Sequence, residues 1–410
     1  MLFVTNSSRK IGFIHPQIRG IKSILTTDNF SRRRFLIAGG LGVLGAFAVR
    51  TNAWTSPAPA LYVGTYTSGG KSEGIYLFGM NPETGALEQI RSFKSVNPSF
   101  LAIDRSRRNL YAVNEVGEYA GKPGGGVSAF AIEPGSAHLR LLNEQASEGA
   151  DPCHLSIDRK RKTLLVANYT GGSISALPIR SDGTLGRAVD VKQHLGASIR
   201  EQQTKAHAHC IILDQSERYA LAADLGIDKV MIYRFDPVSG KLTQGKQPWA
   251  ELKAGAGPRH LTLHPNGRFV YVINELDSTM TALKYDPVNG TLDVIDTVST
   301  LPSDFSGTSY CADLHVSRSG KFLYGSNRGH NSIVVFEIDP RTGRLKQLEH
   351  VSTEGKWPRN FTIDPSGRFL LVANQHTDNI VVFNIDPKTG RLKNSGHTAE
   401  VPIPVCLKFL

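Results

Sequence analysis

The sequence predicts an all-β fold, a seven-bladed β-propeller with four antiparallel strands in each blade. Three observations lead to this prediction. A unit of about 20 residues occurs six times, an alternating strand–turn–strand pattern separates the copies, and the two chain ends carry half-copies. Repeats about 50 residues apart have the size of one supersecondary unit that buries its apolar face against its neighbours. Four short strands in each unit are typical of a propeller blade.

The first unit reads as two apolar strands joined by a tight turn. We label these strands A and B, counted outward from the central channel. The six copies are NPSFLAIDRSRRNLYAVNE (97–115), DPCHLSIDRKRKTLLVANY (151–169), HAHCIILDQSERYALAADL (207–225), GPRHLTLHPNGRFVYVINE (257–275), YCADLHVSRSGKFLYGSNR (310–328) and WPRNFTIDPSGRFLLVANQ (357–375).

The second pattern supplies the two outer strands, C and D. Clear examples are VMIYRFDPVSGKLTQGKQ (230–247), MTALKYDPVNGTLDVIDT (280–297), IVVFEIDPRTGRLKQLEH (333–350) and IVVFNIDPKTGRLKNSGH (380–397). In the shared Asp-Pro-x-(Ser/Thr/Asn)-Gly turn, proline fixes φ and glycine supplies a positive φ. This combination predicts a hairpin with a bulge.

The chain ends complete the ring. LYVGTYT (61–67) matches only a B strand, PVCLKFL (404–410) matches only an A strand, and IYLFGMNPETGALEQI (75–90) matches an outer hairpin. One blade assembled from both ends would close the ring and remove its free sheet edges. We therefore expect residues 61–410 to form a single domain of seven blades.

Residues 1–60 read as a leader with a twin-arginine-type signal peptide. SRRRFLIAGGLGVLGAFAVR (31–50) joins twin arginines to a weakly apolar run, and the small residues APA (58–60) follow. The apolar run is shorter than the ~18–20 residues of a membrane span. We expect the protein to be exported to the periplasm or another extracytoplasmic space and to meet the membrane only through this signal. An uncleaved N-terminal anchor is the alternative.

The net charge of +11 does not indicate a nucleic-acid partner. The first 60 residues hold eight Arg and Lys and one acid, so most of the excess belongs to the leader. The mildly basic body suits a small anionic substrate. The cysteines and histidines show neither paired nor metal-ligand spacing, so we expect no disulfide framework, no bound metal and no cofactor.

Polar residues that interrupt the repeat are expected at one mouth of the channel. In an antiparallel blade, the start of strand A and the end of strand B lie on the same face. Residues peculiar to one or two blades at these positions are His154, His209, Arg259, His260, Glu275 and Arg328, with Glu115, Arg359, Asn360 and Gln375 in equivalent places. Histidine, arginine and glutamate around one pocket predict a functional site.

Other polar residues recur too regularly to form a site. Asn or Asp ends strand B in six copies, Asn274 among them, which predicts a hydrogen bond to a loop. The aspartates of the A–B turns, such as Asp104 and Asp158, are predicted to be turn residues.

These stretches resemble the seven-bladed lactonase family, which includes the propeller type of 6-phosphogluconolactonase and the fungal carboxymuconate lactonizing enzymes. The resemblance covers residues 61–410 and rests on YVGTYT, PCHLSID, AHAH (206–209) and the GPRHLTLHPNGRFVYVINE unit. It implies a site that contains His154, Arg259, Glu275 and Arg328.

The chemistry of these residues fits hydrolysis of a lactone. Arg259 and Arg328 would clamp a phosphate or carboxylate, or Arg259 would polarise the lactone carbonyl. Glu275 with His154 or His209 would supply the base and the acid. The residues expected to bind substrate are Glu115, His260, Arg328, Arg359, Asn360 and Gln375. We expect a lactonase of the 6-phosphogluconolactonase type, with a carboxymuconate cycloisomerase as the alternative.

The leader conflicts with a phosphorylated substrate. 6-Phosphogluconolactone forms in the cytoplasm, and an exported enzyme would not meet it, so a related lactone stays open. Propellers also host many proteins without catalytic activity. A non-catalytic binding propeller of the cell envelope is therefore a third hypothesis.

Overall fold

A computed structural model of the chain describes residues 59–410. The predicted twin-arginine segment lies outside these residues. The regular secondary structure of the described part is all strand, apart from a 3₁₀ turn at Glu201–Gln203. No helix within it is long and apolar enough to cross a membrane.

Seven four-stranded antiparallel sheets form the ring, and the prediction of a seven-bladed propeller is confirmed. The A strands of neighbouring blades contact one another all the way round, which places them around the central channel. From the channel outward, blade 1 is β4 (Leu101–Ile103), β5 (Asn109–Asn114), β8 (Gly126–Ile132) and β9 (Leu139–Ala146), with a small ribbon of β6 (Glu118–Tyr119) and β7 (Lys122–Pro123) in its B–C loop.

The next three blades follow in chain order. Blade 2 is β10 (Pro152–Ile157), β11 (Thr163–Asn168), β12 (Ser173–Pro178) and β13 (Asp190–Gln193); blade 3 is β14 (Ala208–Leu213), β15 (Tyr219–Asp224), β16 (Lys229–Phe235) and β17 (Leu242–Glu251); blade 4 is β18 (Pro258–Leu263), β19 (Phe269–Asn274), β20 (Thr279–Asp286) and β21 (Thr291–Ser299).

The last three blades include the one that both chain ends build. Blade 5 is β22 (Tyr310–Val316), β23 (Phe322–Arg328), β24 (Ser332–Ile338) and β25 (Leu345–Ser352); blade 6 is β26 (Pro358–Ile363), β27 (Phe369–Asn374), β28 (Asn379–Ile385) and β29 (Leu392–Glu400); blade 7 is β30 (Pro404–Phe409), β1 (Ala60–Thr65), β2 (Gly74–Met80) and β3 (Leu87–Lys94). In blade 7, Val63 pairs with Leu407, so the predicted closure of the ring by the two ends is confirmed.

The core lies between the blades rather than within one sheet. The B strands are buried along their whole length, as in β27 (Phe369–Asn374), because each has a neighbouring blade on both faces. Such strands read as continuous apolar runs rather than alternating ones. Buried tyrosines of the B strands also tie one blade to the next: the hydroxyl of Tyr62 donates to Ala137 O at 2.7 Å, and that of Tyr324 donates to Gly390 O at 2.9 Å.

The regular polar residues are scaffold, as predicted from their recurrence. Asp158 accepts the backbone N–H groups of its own A–B turn at 2.6 and 2.7 Å. Asn168 and Asn327 each donate to a loop carbonyl of the same face, at 3.1 and 2.8 Å. Asn274 differs in detail, because its amide donates to the Thr279 and Thr281 hydroxyls of strand C at 2.9 Å each.

Candidate active site

A β-bulge at the start of strand A brings consecutive side chains to the same place. In blade 4, Pro258 pairs with Asn274 and His260 pairs with Ile273, which leaves Arg259 as the extra residue. In a regular strand, neighbouring side chains point to opposite faces, whereas a bulge re-aims one of them. Arg259 and His260 can therefore both contribute to the channel mouth. The same register shift occurs at Pro358/Asn360 of blade 6.

Backbone hydrogen bonds hold the end of strand B beside this bulge. The N–H of Glu275 donates to Gly257 O at 2.7 Å, and Gly257 has φ +67°. A side chain at this position would meet Leu276, because an added Cβ would lie 2.5 Å from Leu276 Cγ. Only glycine combines the left-handed backbone with this close approach. The sequence Gly-Pro-Arg-His thus positions the backbone of Glu275.

Glu275 lies between two arginines from adjacent blades. Its Oε2 is 2.9 Å from Arg259 Nε and 2.8 Å from Arg328 Nη2. The Arg259 side chain is 2% exposed and that of Arg328 5%, while the Glu275 carboxylate is 18% exposed and so keeps access to the mouth. Arg328 also donates to Cys311 O at 2.8 Å, and Arg259 donates to Ala312 O at 2.6 Å.

Three guanidinium groups, those of Arg259, Arg328 and Arg359, share the mouth with the carboxylates of Glu275 and Glu115, and a third carboxylate, Asp313, lies beneath them. Burial alone would raise the pKa of Glu275, but Arg328 and Arg259, aided by Arg359, outweigh it and hold this pKa below its ordinary value. Burial, together with the charges of Arg359 and Arg328, lowers the pKa of Arg259 to about 10. The guanidinium groups of Arg259, Arg328 and Arg359 therefore repel one another at close range, and a bound anion would reduce this repulsion.

Below Arg259, His260 is held in one tautomer. Its Nε2 lies 3.2 Å from Arg259 Nη1, and its Nδ1 lies 2.8 Å from Asp313 Oδ1. Because a guanidinium can only donate and an ionised carboxylate can only accept, Nε2 accepts and Nδ1 carries the proton. Burial, with a contribution from Arg259, lowers the pKa of His260 to about 4. The imidazole is therefore neutral near pH 7.

The other two predicted histidines surround His260. The ring centre of His154 lies 5.4 Å and that of His209 lies 5.3 Å from the ring centre of His260. Burial lowers the pKa of both far below the ordinary value, with further lowering by His260 for His154 and by Arg259 for His209. All three side chains are therefore neutral and polarisable groups rather than cations at neutral pH.

A second carboxylate, Glu115, stands at the same mouth. Tyr66 donates its hydroxyl to Glu115 Oε1 at 2.9 Å, and Ser99 donates to Oε2. Arg359 lies 3.9 Å from Glu115 Oε1, with its guanidinium carbon 5.3 Å from the ring centre of Tyr66. Strands of blades 1, 6 and 7 meet in this group, so it depends on closure of the ring.

The remaining two predicted residues, Asn360 and Gln375, form contacts outside the groups around Glu275 and Glu115. Asn360 lies deeper than Arg359, donates its amide to Asp313 and accepts Leu407 N–H at 2.7 Å. These bonds link the A strands of blades 5, 6 and 7, which is a structural role. Gln375 follows strand B of blade 6, where its N–H donates to Trp357 O at 3.0 Å. Its buried Oε1 has no hydrogen-bond partner among residues 59–410.

Four residues of this region were not among the predicted site residues. Tyr66 is the first residue after strand B of blade 7, the position that Glu275 occupies in blade 4, so a comparison that included the seventh half-copy could have found it. Ser99 lies just before strand A of blade 1 and Asp313 lies within strand A of blade 5, and neither belongs to an obvious motif. Trp357, which contacts Arg328, precedes the Arg359 bulge.

Among the described residues, no group of three or more His, Cys, Asp and Glu side chains is arranged to hold a metal ion.

Comparisons with known proteins agree with this architecture. The family model described as "Lactonase, 7-bladed beta-propeller" matches residues 60–409. A 6-phosphogluconolactonase of Bacillus subtilis (strain 168) is 41% identical over 351 residues, which are 85% of this chain and 97% of the relative. A 6-phosphogluconolactonase of Formosa agariphila is 36% identical over 310 residues, 74% of this chain and 86% of the relative.

Solved structures show the same likeness. A structure described as the periplasmic gluconolactonase of Pseudomonas aeruginosa has a TM-score of 0.82 and 34% identity, and covers 86% of this chain and 99% of its own. The predicted resemblance is thereby confirmed. The chain belongs to the lactonase family of seven-bladed β-propellers.

Proposed function

We propose that the protein hydrolyses a sugar lactone, with 6-phospho-D-glucono-1,5-lactone or the unphosphorylated gluconolactone as substrate. The observation that carries the proposal is the position of Glu275 between Arg259 and Arg328, 2.9 and 2.8 Å away at the channel mouth. The relatives named 6-phosphogluconolactonase and gluconolactonase support the same reaction class.

The cluster of buried guanidinium groups suits the transition state of ester hydrolysis. Attack of water on the lactone carbonyl develops negative charge on the carbonyl oxygen, and donors fixed in place before the reaction stabilise that charge. Arg259, buried and fixed by Ala312 O and His260, is such a donor. Arg328 and Arg359 are then available for a phosphate or for hydroxyl groups of the sugar.

Glu275 is the proton acceptor in this scheme. It is ionised, partly exposed to the mouth, and takes one proton from the attacking water while the water oxygen bonds to the carbonyl carbon. The bond to the ring oxygen then breaks, and that oxygen receives the proton, which yields the open-chain acid. His209 or His154, both neutral, can pass this proton.

The scheme assigns every step to a side chain of this chain, and we therefore propose that the reaction needs no cofactor. Dialysis against EDTA should leave the initial rate within about twofold of the untreated rate. A rate that falls with EDTA and returns with one divalent cation would contradict this part of the proposal.

We also propose that the protein works outside the cytoplasm, in accordance with the twin-arginine segment at residues 31–50. The relative described as periplasmic supports this location. An exported enzyme would meet unphosphorylated lactones, so gluconolactone should then be hydrolysed at least as efficiently as its 6-phosphate. Cell fractionation with a C-terminal tag tests the location directly, and Arg32→Lys/Arg33→Lys/Arg34→Lys should retain the tagged protein in the cytoplasm.

Acid release from both lactones tests the activity. We expect hydrolysis by the wild-type protein and a loss of roughly 10²–10³-fold in kcat/KM for Arg259→Ala. The ultraviolet absorbance of a carboxymuconate, followed with the same protein, would reveal a lactonizing activity instead. If folded protein is inactive in both assays, the chain is a binding propeller and the proposal fails.

A further inference from the structure

Trp357 occupies a backbone position that suits small residues. In the five blades whose A strand begins at X-Pro, the residue before the proline has a positive φ: Asn97 (+41°), Asp151 (+53°), Gly257 (+67°), Trp357 (+66°) and Ile403 (+47°). Glycine, asparagine and aspartate adopt this conformation most readily, whereas Trp357 and Ile403 are both outliers there, and the side chain of Trp357 contacts a site arginine. An outlier of this kind at a site suggests that the side chain has a role of its own.

The indole of Trp357 contacts the site arginine of the preceding blade. The guanidinium carbon of Arg328 lies 5.3 Å from its ring centre, within the range of a cation–π contact. His376 stacks on Trp357 with ring centres 4.9 Å apart and an angle of 12° between the rings. Tyr310 meets the same indole edge-on at 6.3 Å.

The hydrogen bonds of the Arg328 guanidinium lie in the plane of the group, so a separate contact is needed to support the faces of that plane. Nη2 donates to Cys311 O at 2.8 Å and lies 2.8 Å from Glu275 Oε2, while Nε is 3.4 Å from Tyr310 O. A planar guanidinium forms such bonds in one plane and stacks through its faces. The contact with the indole therefore adds a restraint on the guanidinium beyond the polar contacts that hold it beside Glu275.

From these contacts we infer that Trp357 is a positioning residue, whose indole holds the Arg328 guanidinium in the orientation that pairs with Glu275 and receives the anionic or hydroxyl groups of the substrate. The inference deepens the proposed lactonase function and rests on it for its kinetic test.

Kinetic measurements on three variants separate the effect of the indole from the effect of the positive φ at residue 357. Trp357→Leu removes the indole and keeps the unfavourable backbone, whereas Trp357→Gly removes both; we expect KM to rise about three- to thirtyfold in each, with a smaller change in kcat. Trp357→Phe keeps an aromatic face and should stay within about threefold of wild type. Trp249→Leu is the matched control, because Trp249 carries a half-buried cation, Lys229, 4.2 Å from its ring centre on the outer strands of blade 3.

Melting temperatures exclude a general loss of structure. Trp357→Gly should melt no lower than Trp357→Leu, because glycine relieves the positive φ. KM and kcat within twofold of wild type in both variants would overturn the inference. A rise in KM for Trp357→Phe as large as that for Trp357→Leu would also overturn the inference, since an aromatic ring would then not be enough to position Arg328.

Fluorescence tests the inference without turnover. The chain has three tryptophans, so Trp54→Phe/Trp249→Phe leaves Trp357 as the sole emitter. Titration with 6-phosphogluconate, and with gluconate in parallel, should change this emission, and Arg328→Gln should abolish the change. Unchanged emission while calorimetry detects binding would overturn the inference. If wild type hydrolyses neither lactone, the proposed function fails, and this titration alone decides the role of Trp357.

Discussion

The guanidinium of Arg259 and the carboxylate of Glu275 meet at 2.9 Å at the open end of one hairpin, where strand A starts and strand B ends. Arg259 is the extra residue of the bulge that starts strand A, and Glu275 is the first residue after strand B. The contact therefore depends on the register of the pair and on the bond from Glu275 N–H to Gly257 O. Arg328 of blade 5 contacts the same carboxylate, so the Arg259–Glu275 pair also takes part in the contact between blades 4 and 5.

Glu275→Gln should lower kcat/KM for lactone hydrolysis by roughly 10²-fold or more, because it removes both the proton acceptor and the charge between two arginines. Glu349→Gln is the matched control: Glu349 also forms an arginine pair, with Arg391 at 2.8 Å, but on the exposed outer strand of blade 5. The control should retain wild-type kinetics. A Glu275→Gln variant within threefold of wild type would show that Glu275 is not the base.

Stability should fall as the pH is lowered from about 7 towards 4. The pKa of His260 is lowered to about 4 in the fold, and those of His154 and His209 are also lowered, so the unfolded chain binds more protons over this range. Glu275 acts in the same direction at lower pH, since its depressed pKa contributes stability that is lost as the pH falls through it. Thermal melts from pH 8 to pH 4 measure this. A melting temperature that rises below pH 6 would contradict it.

Gly257→Ala should impair both folding and activity. The new Cβ would combine a positive φ with a 2.5 Å approach to Leu276 Cγ, and the neighbouring Glu275 would move. We expect a loss of at least about 1–2 kcal/mol in unfolding free energy. Gly396→Ala separates the two effects, because Gly396 has φ +81° with nothing within 4 Å of an added Cβ. If Gly257→Ala loses no more activity than Gly396→Ala, the close approach does not position Glu275.

Asn360→Ala should reduce stability rather than substrate binding. Its amide links Asp313 to Leu407 across three A strands, and leaving buried partners unpaired costs about 1–3 kcal/mol each. Denaturant unfolding should show this loss, with KM close to wild type at a temperature where the variant is folded. Arg359→Ala, one residue away at the mouth, should instead raise KM. A raised KM for Asn360→Ala at full stability would instead support the substrate-binding role predicted from the sequence.

The repeat pattern was sufficient to predict the blades, because each blade needs the same apolar strands and the same turn residues. The Asp-Pro-x-x-Gly turns and the half-copies at residues 61–67 and 404–410 therefore indicated both the strand number and the closure of the ring. The pattern also separated recurrent residues from peculiar ones, which is why Asn168 was recognised as scaffold and Glu275 as a candidate for chemistry.

Contacts within the site depended on features without a periodic signature. The Asp313 carboxylate beneath His260 and the Tyr66 hydroxyl on Glu115 each come from a neighbouring blade. Asn360 illustrates the same point, since its position in the repeat equals that of His260, yet its partners are buried backbone and Asp313.

The amino-acid sequence alone thus determined the architecture and the face that carries the polar residues, because strand periodicity and turn chemistry are local properties of the chain. Only the tertiary structure decided which of those residues meet. Hydrogen bonds require donor and acceptor within about 3 Å and ion pairs require charged atoms within about 4 Å, and the distances between blades are set by packing of distant segments around the channel.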